Sequence, residues 1–186
     1  VDAYTSPLVL AGDAFPVVVS AKKSEVILAA ARRGKGRVAV WGHEGWLYNG
    51  VKDPAFNGPL NAKVAAWVAR RAERPAGQKI VVAACDYWAA QMITNLLIPT
   101  YPGVFSLYTG AAGGEVSLDA FASHSANFQL WISNTYAEVK PGQADALDAW
   151  VRAGGGALLG GHAWYWSYSA GSKDFRVDYP GNQLTA

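Results

Sequence analysis

The chain is poor in several things, and each shortage removes a class of explanation. It has a single cysteine in 186 residues, so no disulfide forms within it and its stability must come from packing. One thiol suits a reducing compartment without excluding a secreted protein. No apolar run approaches the roughly 20 residues that span a bilayer, and no N-x-[ST] glycosylation acceptor occurs. The formal charge is only +2, with basic residues mostly scattered, which argues against a nucleic-acid partner. The one short cluster, Arg32-Arg33-Gly34-Lys35-Gly36-Arg37, reads as a solvated turn between strands. No signal peptide is visible, yet the chain starts at Val1. It is expected to be processed or part of something longer, which leaves both extracellular and cytoplasmic, membrane-associated locations open.

A zinc-peptidase motif is missing too. The stretch Trp41-Gly42-His43-Glu44-Gly45-Trp46-Leu47 begins like HExxH, but position 47 is Leu where a second imidazole would share the helical face. Gly42 and Gly45 flank the pair and argue against a helix there.

Apolar residues, by contrast, make up 51% of the chain, enough for a core without staples. Eight Trp and nine Tyr are available as core anchors or as walls of a ligand site. The first forty residues read as β-rich runs: PLVLAG, FPVVVS and EVILAA, the last two joined by a hairpin through Ala21-Lys22-Lys23-Ser24. Arg37 to Trp41 is apolar at nearly every position, as in a strand covered on both faces. The period then changes. Leu60, Val64, Trp67 and Val68 mark a helix starting near Asn57-Gly58-Pro59; Lys79 to Cys85 is a buried-type strand.

Asp86 suits the cap of a helix with Trp88, Met92 and Leu96 inward, stopped by Pro99 and Pro102. Val104–Thr109 and Asn127–Ser133 read as strands, Gly110–Gly114 as a turn, and Leu118–Ser123 as a short helix. Leu147, Trp150 and Val151 mark a further helix before the ALLGG strand, and the chain from Ser167 onward reads as irregular.

Strands alternating with helices of this length imply right-handed crossovers. The expected fold class is therefore α/β, with a mainly parallel sheet between two helical layers and an antiparallel N-terminal hairpin extension. It is expected as one domain over 1–186, with a β-rich edge extension at 1–36, a doubly wound core at 37–166 and an irregular tail at 167–186.

In such sheets ligands bind beyond the carboxyl ends of the strands. Four strand ends deliver polar or aromatic groups there: His43 and Glu44, Cys85 and Asp86, Asn134 and Tyr136, His162 and Trp164. These eight are the candidate ligand-binding residues, and each also has a plain structural role available. Asp86 serves as a helix cap, Cys85 as a small buried residue, and His43–Glu44 as a loop-supporting pair. A Cys85–His43–Glu44 triad is the catalytic alternative. However, Cys85 lies in AACDYW rather than in a Gly-flanked nucleophile elbow. The best elbow, LLGGHAW, offers only Gly161 or His162. A metal site from His43, Glu44, Asp86 and His162 ranks lowest, because no spacing demands it; no metal or cofactor is expected.

The blocks LAGDAFPVVV, GKGRVAVWGHEGWL, GGGALLGGHAWYWSYS and YPGNQLT, in that order, resemble the amino-terminal domain of the TRPM channel-associated factor family. Related domains occur in enhancin-like, mucin-targeting zinc metallopeptidases. The resemblance runs from about Leu8 to Thr185 and is strongest over Phe15 to Leu47 and Gly154 to Thr185. It implies a class I glutamine-amidotransferase-like, flavodoxin-type fold without the amidotransferase cysteine, in agreement with the empty elbow. It also implies a fragment of a longer protein, whose remaining domains would be neighbours of this one. Peptidase activity does not carry over, since HExxH is absent. The expected function is a non-catalytic recognition or accessory module, a pseudoenzyme, with a protein or glycan partner. The alternative is a divergent cysteine hydrolase.

Overall fold

The computed structural model describes residues 5–52, 55, 57–111 and 114–185, with the side chains of 49–52 left aside. Seven strands form one sheet in the order β1-β2-β3-β7-β6-β4-β5. They are β1 (Phe15–Val19), β2 (Val26–Arg33), β3 (Gly36–Trp41), β4 (Ile80–Ala84), β5 (Phe105–Leu107), β6 (Leu130–Asn134) and β7 (Gly156–Gly160). β1, β2 and β3 pair antiparallel, whereas β3, β7, β6, β4 and β5 run parallel. The fold is thus the expected three-layer, flavodoxin-like α/β sheet with an antiparallel edge.

The two-residue period of the strands builds the layers. Ala39, Trp41, Ile80, Val82, Ala84, Leu130, Ile132 and Leu158 face one way. They pack against α1 (Glu44–Lys52), α2 (Gly58–Val68) and α3 (Tyr87–Met92) with its continuation. Val38, Val40, Ala83, Trp131, Ala157 and Leu159 face the other way, toward α5 (Leu118–His124) and α6 (Gln143–Ala153). This is why the central strands read as continuous apolar runs.

The chain leaves β4 for β5 on one side, then crosses to β6 on the other, so strand order reverses between β4 and β6. That crevice, and the neighbouring ends of β3 and β7, define the rim.

Several expectations are corrected. PLVLAG is not a strand: it lies outside the sheet, tied by Ser6 N–H to the Gly42 carbonyl and by Leu8 N–H to that of Val26, both at 2.9 Å. Pro7 lacks a donor and Gly12 adopts φ +58°, which breaks any ladder there. Gly45 does not prevent a helix: α1 starts at Glu44. The His43 ring folds over the helix start, and a Cβ on Gly45 would lie 2.8 Å from it. The glycine is what permits this cap.

The third helix stops between Pro99 and Pro102, as expected, but passes Pro99 by one residue, to Thr100. α3 widens into a π-helical stretch, Ile93–Leu97, then continues as α4 (Ile98–Thr100), the wider turn accommodating a residue that cannot donate. The same helix buries Ala89, Met92, Ile93 and Leu96 but leaves Trp88 42% exposed, not inward. The β5 and β6 strands are shorter than expected, and Asn134 is the last residue of β6. Beyond Ser167 the chain is partly helical, through α7 (Ala163–Ser169) and α8 (Pro180–Thr185). The turn expected at Gly110–Gly114 lies partly outside the described residues.

Candidate functional site

β3, β7, β6 and β4 pair parallel, so the residues that follow them meet at one end of the molecule. Hydrogen bonds and ring contacts join them into a continuous chain. Asp86 caps α3 by accepting the Ala89 N–H at 2.8 Å, and its other oxygen accepts from Asn134 Nδ2 at 2.8 Å and Tyr48 Oη at 3.1 Å. Asn134 Oδ1 accepts the Tyr136 N–H at 3.2 Å, and the Tyr136 hydroxyl donates to Glu44. Glu44 Oε2 lies 3.4 Å from His43 Nδ1. The His43 ring stacks on His162 with centroids 4.1 Å apart, and His162 meets the Trp164 edge at 4.6 Å. All eight sequence-derived candidates therefore share one rim.

Their chemistry is restrained by this packing. Burial pushes the Glu44 carboxyl upward, but the close His43 ring and the hydrogen bond from the Tyr136 hydroxyl outweigh it and hold the group below the ordinary carboxylate range. Burial, reinforced by Glu44, raises the Tyr136 phenol, and burial raises that of Tyr48 beside Cys85 and Asp86.

Cys85 is not an activated thiol. Burial and the neighbouring Asp86 charge push its thiol up to about 12. Its sulfur accepts from the Asn134 backbone at 3.3 Å, and it lines a cavity of about 100 Å³ with Ser117, Ser133 and Asn134. The hydrogen bonds of His43 and Cys85 run to different partners: the His43 Nδ1 accepts the Gly45 N–H at 2.8 Å.

The elbow after β7 is filled as well as nucleophile-free. A Cβ on Gly161 would sit 1.9 Å from both the Thr135 and the Tyr179 hydroxyl oxygens. Those hydroxyls bond each other at 2.5 Å. Tyr48, Thr135 and Tyr179 were not legible as site residues: Tyr48 sits within a helix, and Tyr179 lies in a segment whose composition reads as irregular.

A metal could be offered His43, Glu44 and His162, whose ligand atoms lie within 4.8 Å of one another. Asp86 is not in that group. A ligated His43 would have to change the tautomer fixed by its cap or release the Gly45 N–H.

Comparisons with known proteins agree with this architecture. Residues 117–186 match a family model described as "TRPM8, N-terminal domain". A TRPM8 channel-associated factor homolog of Xenopus laevis is 31% identical over 98% of this chain, and TRPM8 channel-associated factor 2 of Bos taurus 28% identical over 97%. The chain spans only 17% and 16% of those proteins. Among solved structures, IMPa from Pseudomonas aeruginosa in complex with an O-glycopeptide superposes with a TM-score of 0.60. It is 15% identical, covering 81% of this chain and 16% of that one, which is a likeness of fold. The IMPa metallopeptidase in complex with T-antigen gives the same score at 18% identity. Sequence blocks, sheet order and these matches converge: the chain belongs to the TRPM8 channel-associated factor family.

Proposed function

We propose that this domain is a non-catalytic recognition module of a longer protein, a pseudoenzyme on a class I glutamine-amidotransferase-like scaffold, which holds a protein or glycan partner at its rim. Residues 1–186 would act as one such unit. The observation that carries the reading is the turn after β7, the chain's best elbow by sequence: Gly161 offers no side chain there, and the Thr135–Tyr179 pair occupies the space one would need.

What remains outward is suited to contact rather than turnover. Tyr87, Trp88, Trp164 and Tyr165 are each at least 42% exposed. They follow the ends of β4 and β7, beside the polar groups of Glu44, His43 and Asn134. Aromatic surfaces next to fixed donors and acceptors serve recognition of proteins and of sugars. The relatives are named for association with a channel, and the IMPa structures are complexes with an O-glycopeptide and with T-antigen. Both kinds of partner are thereby supported.

The alternative of a Cys85 hydrolase draws on the cavity beside that thiol. One set of assays separates the readings. The recognition reading expects no hydrolysis of glutamine or simple esters, with or without Cys85→Ala. It also expects binding of a T-antigen glycopeptide or of TRPM8 that is weakened by Trp164→Ala. Turnover abolished by Cys85→Ala would overturn it.

A further inference from the structure

Half the positive charge of the chain is concentrated at the end of the sheet opposite the rim. Residues 32–37 and 70–79 together hold eight of the 16 Lys and Arg, with only one of the 14 Asp and Glu. The sheet brings these segments together. The β2–β3 turn docks on the end of α6 through Lys35 N–H to the Arg152 carbonyl at 2.9 Å, and Arg37 N–H reaches the Gly155 carbonyl. Residues 70–79 lead into β4, which runs parallel to β3.

Among the described residues, two carboxylates form the ion pairs at this end. Glu73 binds Arg37 and Arg70, and Asp148 binds Arg33 and Arg152. Arg74 instead donates its Nε to the Ala69 carbonyl at 2.9 Å. A net positive field remains at this end of a nearly neutral molecule.

That field has a cleft within it. Arg70 and Arg74 line an open cleft of about 370 Å³ whose other walls are Trp150, Phe128 and the Gly154–Gly155 backbone. Arg70 arches over Gly154, where a Cβ would lie 3.1 Å from its guanidinium. Trp150 is fixed in place by its indole N–H donating to the Ser125 carbonyl at 2.9 Å, edge-on to Phe128.

We propose that this cleft binds an organic phosphate, with the phosphate on Arg70 and Arg74 and a flat apolar group against Trp150. Guanidinium forks match the oxygens of a phosphate, and their fixed charge favours a dianion over a single carboxylate. The aromatic wall adds contact area that inorganic phosphate cannot use. The same chemistry is presented by a phosphotyrosyl side chain and by a free nucleoside monophosphate. This site is separate from the rim and does not depend on what the rim binds.

The test is an NMR titration of ¹⁵N-labelled protein with phenyl phosphate. Saturable shifts are expected at the Trp150 indole and at the Gly154 and Gly155 amides. Arg70→Gln and Arg74→Gln should each weaken binding about tenfold, as loss of a charge-assisted contact does. Arg71→Gln removes a cation stacked instead over Tyr101 and should leave the affinity unchanged. Arg74→Lys keeps the charge and guards against a folding defect.

Shifts that do not saturate, benzoate binding as tightly as phenyl phosphate, or indifference to Arg70→Gln would each overturn the assignment. A phosphotyrosyl peptide and adenosine monophosphate then distinguish the sources, and a tighter fit of either upholds the site.

Discussion

His43 and His162 lie face to face, ring centroids 4.1 Å apart and 28° from parallel, at the tips of two adjacent parallel strands. The pair joins the two stretches where the family resemblance is strongest, and His162 is only 5% exposed. Replacing His162 with Ala removes the stack and leaves a void beside Trp164. A loss of about 1–3 kcal/mol in urea denaturation is expected, in the range of moderately large core truncations.

The cap on His43 bears on metal content. Its Nδ1 already accepts the Gly45 N–H. Chelator is therefore expected to leave the melting temperature of the protein unchanged, and metal analysis should find less than stoichiometric zinc. A fall in melting temperature with chelator, restored by added zinc, would show instead that His43, Glu44 and His162 form a metal site.

Glu44 supplies a pH signature. Its carboxyl is depressed in the folded state, so its contribution is fully present above the ordinary carboxylate range near pH ~4.3 and is lost as pH falls through the depressed value. Glu44→Gln should flatten the acid limb of stability against pH by that contribution. Tyr136→Phe, which removes the hydroxyl that donates to Glu44, should flatten it partly. Denaturation midpoints between pH 3 and 7 provide the measurement; identical acid limbs for wild type and Glu44→Gln would contradict the assignment.

Cys85 should be nearly inert. A thiol pushed up to about 12 holds roughly a thousandfold less thiolate at pH 8 than a free cysteine of ordinary pKa. Iodoacetamide labelling followed by mass spectrometry should accordingly be slower by about that factor, and full in denaturant. Rapid labelling of the native protein would revive the hydrolase reading.

The elbow gives the sharpest structural test. Gly161→Ala places a methyl against the Thr135 and Tyr179 hydroxyls and should cost about 2–4 kcal/mol through overpacking and a broken buried hydrogen bond. Removing both hydroxyls, with Thr135→Ala and Tyr179→Phe, should recover part of that loss. A neutral Gly161→Ala would mean that the elbow has room for a side chain after all.

The sequence by itself determined the layer architecture and the end of the sheet where polar groups gather. Both depend on local period and on the handedness of crossovers. Apolar runs such as Arg37–Trp41 and Lys79–Cys85 can only be strands covered on both faces, and their ends then share one rim. Local rules failed where a neighbour changed the outcome. Gly45 weakens a helix by propensity, yet here it makes room for the capping His43 ring. Pro99 should end a helix at once, yet the wider turn before it carries the helix one residue further, to Thr100.

Only the tertiary structure decided which rim residues touch. The link from Asp86 through Asn134, Tyr136 and Glu44 to His43 joins the ends of three strands, β4, β6 and β3, and no spacing along the chain encodes it. Tyr179 reached the site from a segment with no periodic signal, and the Arg32–Arg37 cluster, expected as a solvated turn, lies mostly in β2 and β3 with Arg37 buried against Trp67. Such pairings are set by strand order and long-range packing, whose energy is spent between residues far apart in sequence.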